Sequence, residues 1–313
     1  MANIKEIEIF GKHAPVLRIY DKLFPLYIVK GEKNFLIDSG VTARAELFHE
    51  RIEKALKETG PSGNQRQRID TLLLTHTHWD HTGAAYYLQQ IYGFNVMASR
   101  RGVELLQKQK VVGFIDRLNR DYKTMLQEVS DVRFDRLDKL EAVSGGDTIR
   151  VDAENYFEVI ETPGHTKCAV SYLLRPDNVL FMGDSAGLLE KDGAIKPIFL
   201  SSYSEYEDSL RKLMSLEVEA MAFPHNRFLA GKDKVKKYLR DSFARTQEVK
   251  EEILKILKDE KDTAKIAETL YRQEFPITSI MGPKEAMMIN LEAMVKAVAH
   301  EVRNDRGSFY STL

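Results

Sequence analysis

The chain has 313 residues, 43% of them hydrophobic and 30% charged, with a formal net charge of −1. That balance excludes a general electrostatic attraction to nucleic acid or to an anionic membrane surface, and the composition is that of an ordinary globular protein. The one cysteine, Cys168, leaves no intrachain disulfide, which suits a reducing compartment. Met1 to Phe10 is charged and lacks the apolar core of a signal peptide. No apolar run approaches the length that spans a bilayer, so a cytoplasmic protein with no membrane partner is expected.

In chain order, residues 4–10 and 16–20 alternate apolar and polar and predict strands. Leu26 to Val29 and Phe35 to Ile37 flank Gly31-Glu32-Lys33-Asn34, a hairpin pattern. Leu47, Ile52 and Leu56 lie among charges and predict a surface helix over 43–58, which Gly60-Pro61-Ser62-Gly63-Asn64 ends. A strand at 70–74, a helix over 84–92, a strand near Val96 and a helix near 101–110 follow, then a mixed, helix-like insertion over 105–140. Strands are expected near 148–151, 156–161, 169–174 and 178–182, the last two joined by the turn Arg175-Pro176-Asp177-Asn178. A helix near 204–215 and a short strand at 219–223 complete an alternation that predicts an α/β protein. From 232 the strand signals stop, and helices are expected near 232–258, 262–272 and 284–303. On the last, Met287, Leu291, Met294, Val295, Val298 and Val302 share a face. The expected organisation is a main domain over 1–231 and a helical C-terminal extension over 232–313.

The densest chemistry sits where the apolar Leu72 to Leu74 runs into Thr75-His76-Thr77-His78-Trp79-Asp80-His81-Thr82-Gly83. Three imidazoles and a carboxylate within six residues exceed what packing requires, and imidazole is the commonest protein ligand of zinc or iron. His76 and His78, two apart in a loop leaving a strand, are able to face one ion. Pro163-Gly164-His165-Thr166, Phe181-Met182-Gly183-Asp184 and Ala222-Phe223-Pro224-His225 follow downstream, and Phe35-Leu36-Ile37-Asp38-Ser39-Gly40 lies upstream.

These five motifs, in this order, resemble the set that marks the metallo-beta-lactamase superfamily. The resemblance implies an αββα sandwich, two sheets face to face with helices outside and metals at one edge, followed here by the helical extension. It implies one metal on His76, His78 and His165, a second on Asp80, His81 and His225, Asp184 bridging them, and Asp38 supporting the site from behind. Five histidines and two aspartates suit two divalent cations, Zn²⁺ first, with Fe²⁺ or Mn²⁺ also accommodated. Two metals about 3.5–4 Å apart share a water and lower its pKa towards neutrality. The implied reaction is metal-assisted hydrolysis by a bridging hydroxide, with Asp80 orienting the nucleophile and protonating the leaving group. Two motifs depart from the family pattern. Lys167-Cys168 replaces a small or Pro-Gly pair, with Cys168 read as a packing residue, and Phe223-Pro224-His225-Asn226 replaces Pro-Gly-His-Gly. His13, His49 and His300 lie outside every motif and are read as surface or structural residues.

Over nearly its full length the chain also resembles the thioesterase-like, quinolone-signal response branch of that superfamily, through Asp116-Arg117-Leu118-Asn119-Arg120, Gly183-Asp184-Ser185-Ala186-Gly187 and Lys196-Pro197-Ile198-Phe199. That implies hydrolysis of a small-molecule ester or thioester of the acyl-CoA kind, with the C-terminal helices capping the site and Phe114, Arg117, Tyr203 and Met281 in its pocket. Three alternatives stay open: an endoribonuclease of the beta-lactamase-like family, whose helical tail 244–303 resembles; a mononuclear iron oxygenase; and a binding protein on the same fold. The nearly balanced charge of 232–313, where only Lys232, Lys234, Lys236, Lys237 and Arg240 cluster, argues against nucleic acid. A homodimer is left open.

Overall fold

The computed structural model describes residues 7–59, 68–190, 192–225, 227–274 and 284–310. The chain forms two compact units. The first comprises Met1–Glu161, Cys168–Gly183 and Val218–Gly231; the second comprises Thr162–Lys167, Asp184–Glu217 and Lys232–Leu313.

The first unit is a sandwich of two sheets. One holds β1 (Ile7–Phe10), β2 (Val16–Ile19), β3 (Leu26–Val29), β4 (Phe35–Ile37), β5 (Thr71–Leu73), β6 (Asn95–Ser99) and β7 (Leu140–Val143), in that spatial order. The first four pair antiparallel and the rest parallel. Parallel neighbours need crossovers. These are α1 (Ala45–Glu58), then α2 (Trp79–Thr82) with α3 (Ala85–Tyr92), then α4 (Arg100–Leu106) with α5 (Gln109–Leu126). The other sheet holds β8 (Thr148–Arg150), β9 (Tyr156–Glu161), β10 (Val170–Arg175) and β11 (Val179–Phe181). After β12 (Leu188–Leu189) and β13 (Ile195–Lys196), a separate hairpin of the second unit, it gains β14 (Ala220–Ala222) and β15 (Phe228–Ala230).

Period-two patterning sorts the strand residues. Phe35, Ile37 and Leu73 face the second sheet and pack with Phe157, Val170, Tyr172 and Phe181. Leu36, Leu72 and Leu74 face the helices and pack with Phe48, Ile52, Leu88 and Ile115. Both faces of β4 and β5 are therefore buried, which is why these strands read as continuous apolar runs.

The second unit holds β12, β13, α6 (Tyr203–Met214), α7 (Lys232–Asp259), α8 (Thr263–Glu274) and α9 (Lys284–Tyr310). On α9 the expected apolar face is buried at Met287, Leu291, Met294, Val295 and Val298, with Val302 half-buried. No helix among the described residues is long and apolar enough to cross a membrane.

Several elements differ from the sequence expectation. The histidine-rich stretch contains a helical turn, α2, ahead of the helix expected from 84. The 105–140 insertion resolves into α5, a non-regular stretch, and β7. β7, β12, β13 and β15 are short, with half-buried or exposed positions that blur alternation.

Candidate metal centre

β5 ends in Leu74, and the next residues carry the ligand types. Asp38, just past β4, holds this loop. It adopts a left-handed backbone, φ +53°, which a short polar side chain tolerates best among non-glycine residues. Its carboxylate accepts hydrogen bonds from the Thr75 N–H and hydroxyl, each at 2.8 Å, and from His81 Nδ1 at 2.8 Å. The Tyr172 hydroxyl donates to the Leu74 carbonyl at 2.9 Å. Burial, with the Asp38 charge adding to it, pushes that phenol well above its ordinary value, so it remains a donor.

These bonds determine how each imidazole presents itself. The Thr75 hydroxyl gives its one proton to Asp38, so its oxygen accepts from His76 Nδ1 at 3.1 Å. His81 donates Nδ1–H to Asp38, and His225 donates Nδ1–H to the Leu23 carbonyl at 3.3 Å. In the second unit His165 donates Nδ1–H to the Ile198 carbonyl at 2.7 Å. In all four Nδ1 is the anchored ring nitrogen, the arrangement that metal-ligating histidines adopt when Nε2 meets the cation.

The first unit gathers five of the expected ligands. The His76 ring lies 4.6 Å from that of His78 and 4.0 Å from that of His81, and the His81 ring lies 5.4 Å from that of His225. Asp80 Oδ2 is 3.8 Å from Nε2 of both His81 and His225, and one donor atom from each of the three lies within 4.8 Å of the others. In the second unit His165 Nε2 lies 3.3 Å from Asp184 Oδ2. Two ligands on one zinc at about 2.0–2.1 Å lie up to about 4 Å apart, so the Asp80, His81 and His225 spacing is longer than a hydrogen bond and within reach of one cation. The donor set is imidazole and carboxylate, so the residues fit a divalent metal.

The second unit fixes its two expected ligands locally. Gly164, before His165, has φ +124°, and a Cβ there would meet the Tyr206 backbone at 2.3 Å. Its carbonyl accepts from Ser201 N at 2.9 Å and Ser201 Oγ at 3.0 Å. The Tyr206 hydroxyl donates to the Asp184 carbonyl at 3.4 Å, and burial raises this phenol far above its usual range.

Cys168 is buried, its Sγ 3.4 Å from Thr77 Oγ1 and its carbonyl accepting from Ser99 Oγ at 2.7 Å. Among the expected pocket residues, Phe114 is exposed on α5 with the Arg117 guanidinium 5.1 Å from its ring centroid. Tyr203 is buried at the start of α6 with Lys250 Nζ 4.2 Å from its ring centroid. Met281 lies outside the described residues. A cleft beside the first unit's cluster is lined by Phe24, Tyr27, Asp38, Thr75, Asp80 and His81 among others, with neither Phe114 nor Arg117 in its wall. Sequence reasoning missed Leu23, Asp21 and Asn119. Asp21 accepts from Leu23 N and Phe24 N, both at 2.9 Å, and so holds the loop whose Leu23 carbonyl orients His225. The signal within reach was Asp21 two residues before Leu23, an Asx-turn spacing. Of the histidines outside the motifs, His49 meets the Tyr92 hydroxyl at 3.0 Å and His13 is exposed.

Residues 26–225 match the metallo-beta-lactamase superfamily. The chain is 29% identical over 250 residues to a hydroxyacylglutathione hydrolase of Bradyrhizobium sp., covering 79% of each chain. It is 26% identical over 223 residues to a metallo-beta-lactamase fold-containing protein of Sulfurisphaera tokodaii, covering 68% of this chain and 76% of that one. Among solved structures, a metallo-beta-lactamase family protein of Thermus thermophilus superposes with a TM-score of 0.65 at 20% identity, covering 96% of this chain and 95% of that one.

Proposed function

We propose that this chain, which belongs to the metallo-beta-lactamase superfamily, is a dinuclear metal-dependent hydrolase of a small-molecule ester or thioester. The observation that carries the reading is the common anchoring of His76, His81, His165 and His225 through Nδ1, with donor atoms of Asp80, His81 and His225 within 4.8 Å of one another. Following the order of the motifs, His76, His78 and His165 are assigned to one cation, Asp80, His81 and His225 to the other, and Asp184 to both. Zinc is proposed first, with iron or manganese as the other candidates. When bound, two such cations supply Lewis acidity and a water acidic enough to ionise near neutral pH.

The chain's own groups do the rest. Asp80, half-buried beside His81 and His225, is suited to take the proton of the attacking water and to pass that proton to the leaving thiolate or alkoxide. Asp38 keeps His81 in one tautomer. The hydroxyacylglutathione hydrolase relative supports an acyl group on a thiol carrier as the substrate class. Phe114, Arg117, Tyr203 and Met281 remain proposed pocket residues. On the same footing 1–231 is proposed as the catalytic part and 232–313 as the helical extension, and the single Cys168 supports a cytoplasmic location. The lysines opening α7 have neighbours that offset their charge: Lys232 and Lys236 both reach Glu217, and Lys237 pairs with Asp241.

The test is metal content and turnover on one purified sample, against acyl-glutathione and acyl-CoA thioesters, lactones and a structured RNA. About two metals per chain are expected, with thioester or ester turnover that His76→Ala abolishes. RNA cleavage without ester turnover, or at most one metal and no turnover, would overturn the reading.

A further inference from the structure

We propose that Asn119 is a positioning residue for the Asp80, His81 and His225 cluster: its carboxamide ties α5 to the turn that carries two of these three ligands. The inference rests on the metal-binding reading above and concerns a residue in none of the ligand motifs.

A carboxamide offers two N–H donors and an oxygen with two lone pairs, and Asn119 uses all of them while only 1% exposed. Its Oδ1 accepts from the Thr42 N–H at 2.9 Å and the Thr42 hydroxyl at 3.2 Å. Its Nδ2 donates to the Trp79 and Ile115 carbonyls, each at 3.1 Å. Trp79 opens α2, directly before Asp80 and two residues before His81.

α2 has only four residues and no side-chain cap at its N-terminus. So short a helix has little stability of its own, and its orientation depends on what grips its carbonyls. Ser39 grips one side, its N–H and hydroxyl donating to the His81 carbonyl at 2.7 and 2.9 Å. Asn119 grips the other through Trp79.

Gly83 supplies a second, independent observation. Its φ of −54° is ordinary helical backbone, so conformation does not call for glycine. Space does: a Cβ at 83 would lie 2.5 Å from Asn119 Oδ1 and 2.6 Å from the Trp79 carbonyl oxygen. The last residue of the ligand motif is therefore the one side chain small enough to admit the carboxamide. The third ligand is reached through rings. Tyr122, one turn along α5, packs against Trp79 at 5.1 Å and Phe24 at 6.0 Å, and Phe24 packs on His225 at 5.7 Å.

The experiment is titration of the metal-stripped full chain with Zn²⁺ by calorimetry and with Co²⁺ by visible absorption. His225→Ala identifies the binding step that belongs to this cluster. Asn119→Leu keeps the branched shape and removes every side-chain hydrogen bond; Asn119→Ala also removes them, without the added bulk of leucine, should the leucine variant fail to fold. Either is expected to weaken that step roughly ten- to a hundredfold, to alter its Co²⁺ d–d band, and to leave the other step unchanged. Ile115→Ala, in the same helix at a position with no polar side chain, is expected to lower thermal stability without separating the two steps. Two binding steps in the wild type with unchanged steps in a folded Asn119 variant overturn the inference alone, as does an equal, selective effect of Ile115→Ala. A wild-type chain that takes up no metal overturns the metal reading and this inference with it.

Discussion

Asp38 illustrates how much one side chain determines at this site. Its left-handed backbone is a conformation that costs most L-residues about 1–2 kcal/mol, and its carboxylate serves the Thr75 N–H, the Thr75 hydroxyl and His81 Nδ1. Replacing it by alanine leaves three buried donors without this acceptor, at about 1–3 kcal/mol each before relaxation. Asp38→Ala is expected to destabilise the metal-free protein by about 3 kcal/mol or more. Asp38→Asn keeps one acceptor oxygen and the tolerance for φ > 0, so about half that loss is expected. Urea denaturation of both variants in the presence of a chelator measures the difference, and an asparagine variant no more stable than the alanine one would contradict this account. The ligand types were legible in the sequence because His76, His78, Asp80 and His81 crowd into six residues. Their anchors were less so. Asp38, 43 residues from His81, entered only through the resemblance of the Phe35 to Gly40 motif, and its bonds to Thr75 and His81 did not; the carbonyl that orients His225, 202 residues away, left no trace in the sequence.

Among the elements, α7 does more than a helix patterned only for packing. Tyr238 donates to the Ala186 and Gly187 carbonyls at 2.9 and 3.1 Å, and Ser242 donates to Ala186 at 2.8 Å. Burial holds the Tyr238 phenol far above its usual range, so it stays a donor at any working pH. Both hydroxyls therefore hold the segment two residues after Asp184. Because they share the Ala186 carbonyl, their deletions are not independent. After Ser242→Ala that oxygen still has Tyr238, and after Tyr238→Phe it still has Ser242, so each single change is expected to cost about 1 kcal/mol. The double variant orphans a buried acceptor and is expected to cost more than the sum, by about 1 kcal/mol, in a denaturation cycle; strict additivity would mean that the carbonyl is satisfied elsewhere. The helices themselves were readable. α7 begins at Lys232, where strand signals stop, and α9 buries the Met287, Leu291 and Val295 stripe. β12 and β13, two residues each, and β15, three residues, are too short for a period to register. Asn119 looked like one more polar residue of an insertion, because its partners at 42 and 79 come together only in the folded chain.

At the scale of the whole chain, the second unit is woven from three separate stretches, 162–167, 184–217 and 232–313. A linear cut at Gly231 therefore does not release an appendage. It removes α7, α8 and α9 from a unit that also contains His165, Asp184 and α6. The cut severs specific interactions. The Ser204 N–H, in the first turn of α6, donates to Glu301 at 2.7 Å, Gln247 donates to Glu207 at 3.0 Å, and Arg211 lies 4.5 Å from the Phe243 ring centroid. The Ala186 and Gly187 carbonyls are deprived of Tyr238 and Ser242 as well. The exposed hydrogen bonds among these contribute little each, but buried carbonyls and the apolar faces of α6 do not tolerate exposure. A chain ending at Gly231 is expected to retain strand signal in circular dichroism, to bind a hydrophobic dye, to unfold without a sharp transition, and to carry less metal than the full chain, since His165 and Asp184 then sit on unanchored segments. Dye binding, thermal denaturation and metal content on the same preparation measure this. A truncated chain with one sharp transition and full metal content would instead make the 162–167 and 184–217 stretches self-sufficient and α7 to α9 dispensable to the site.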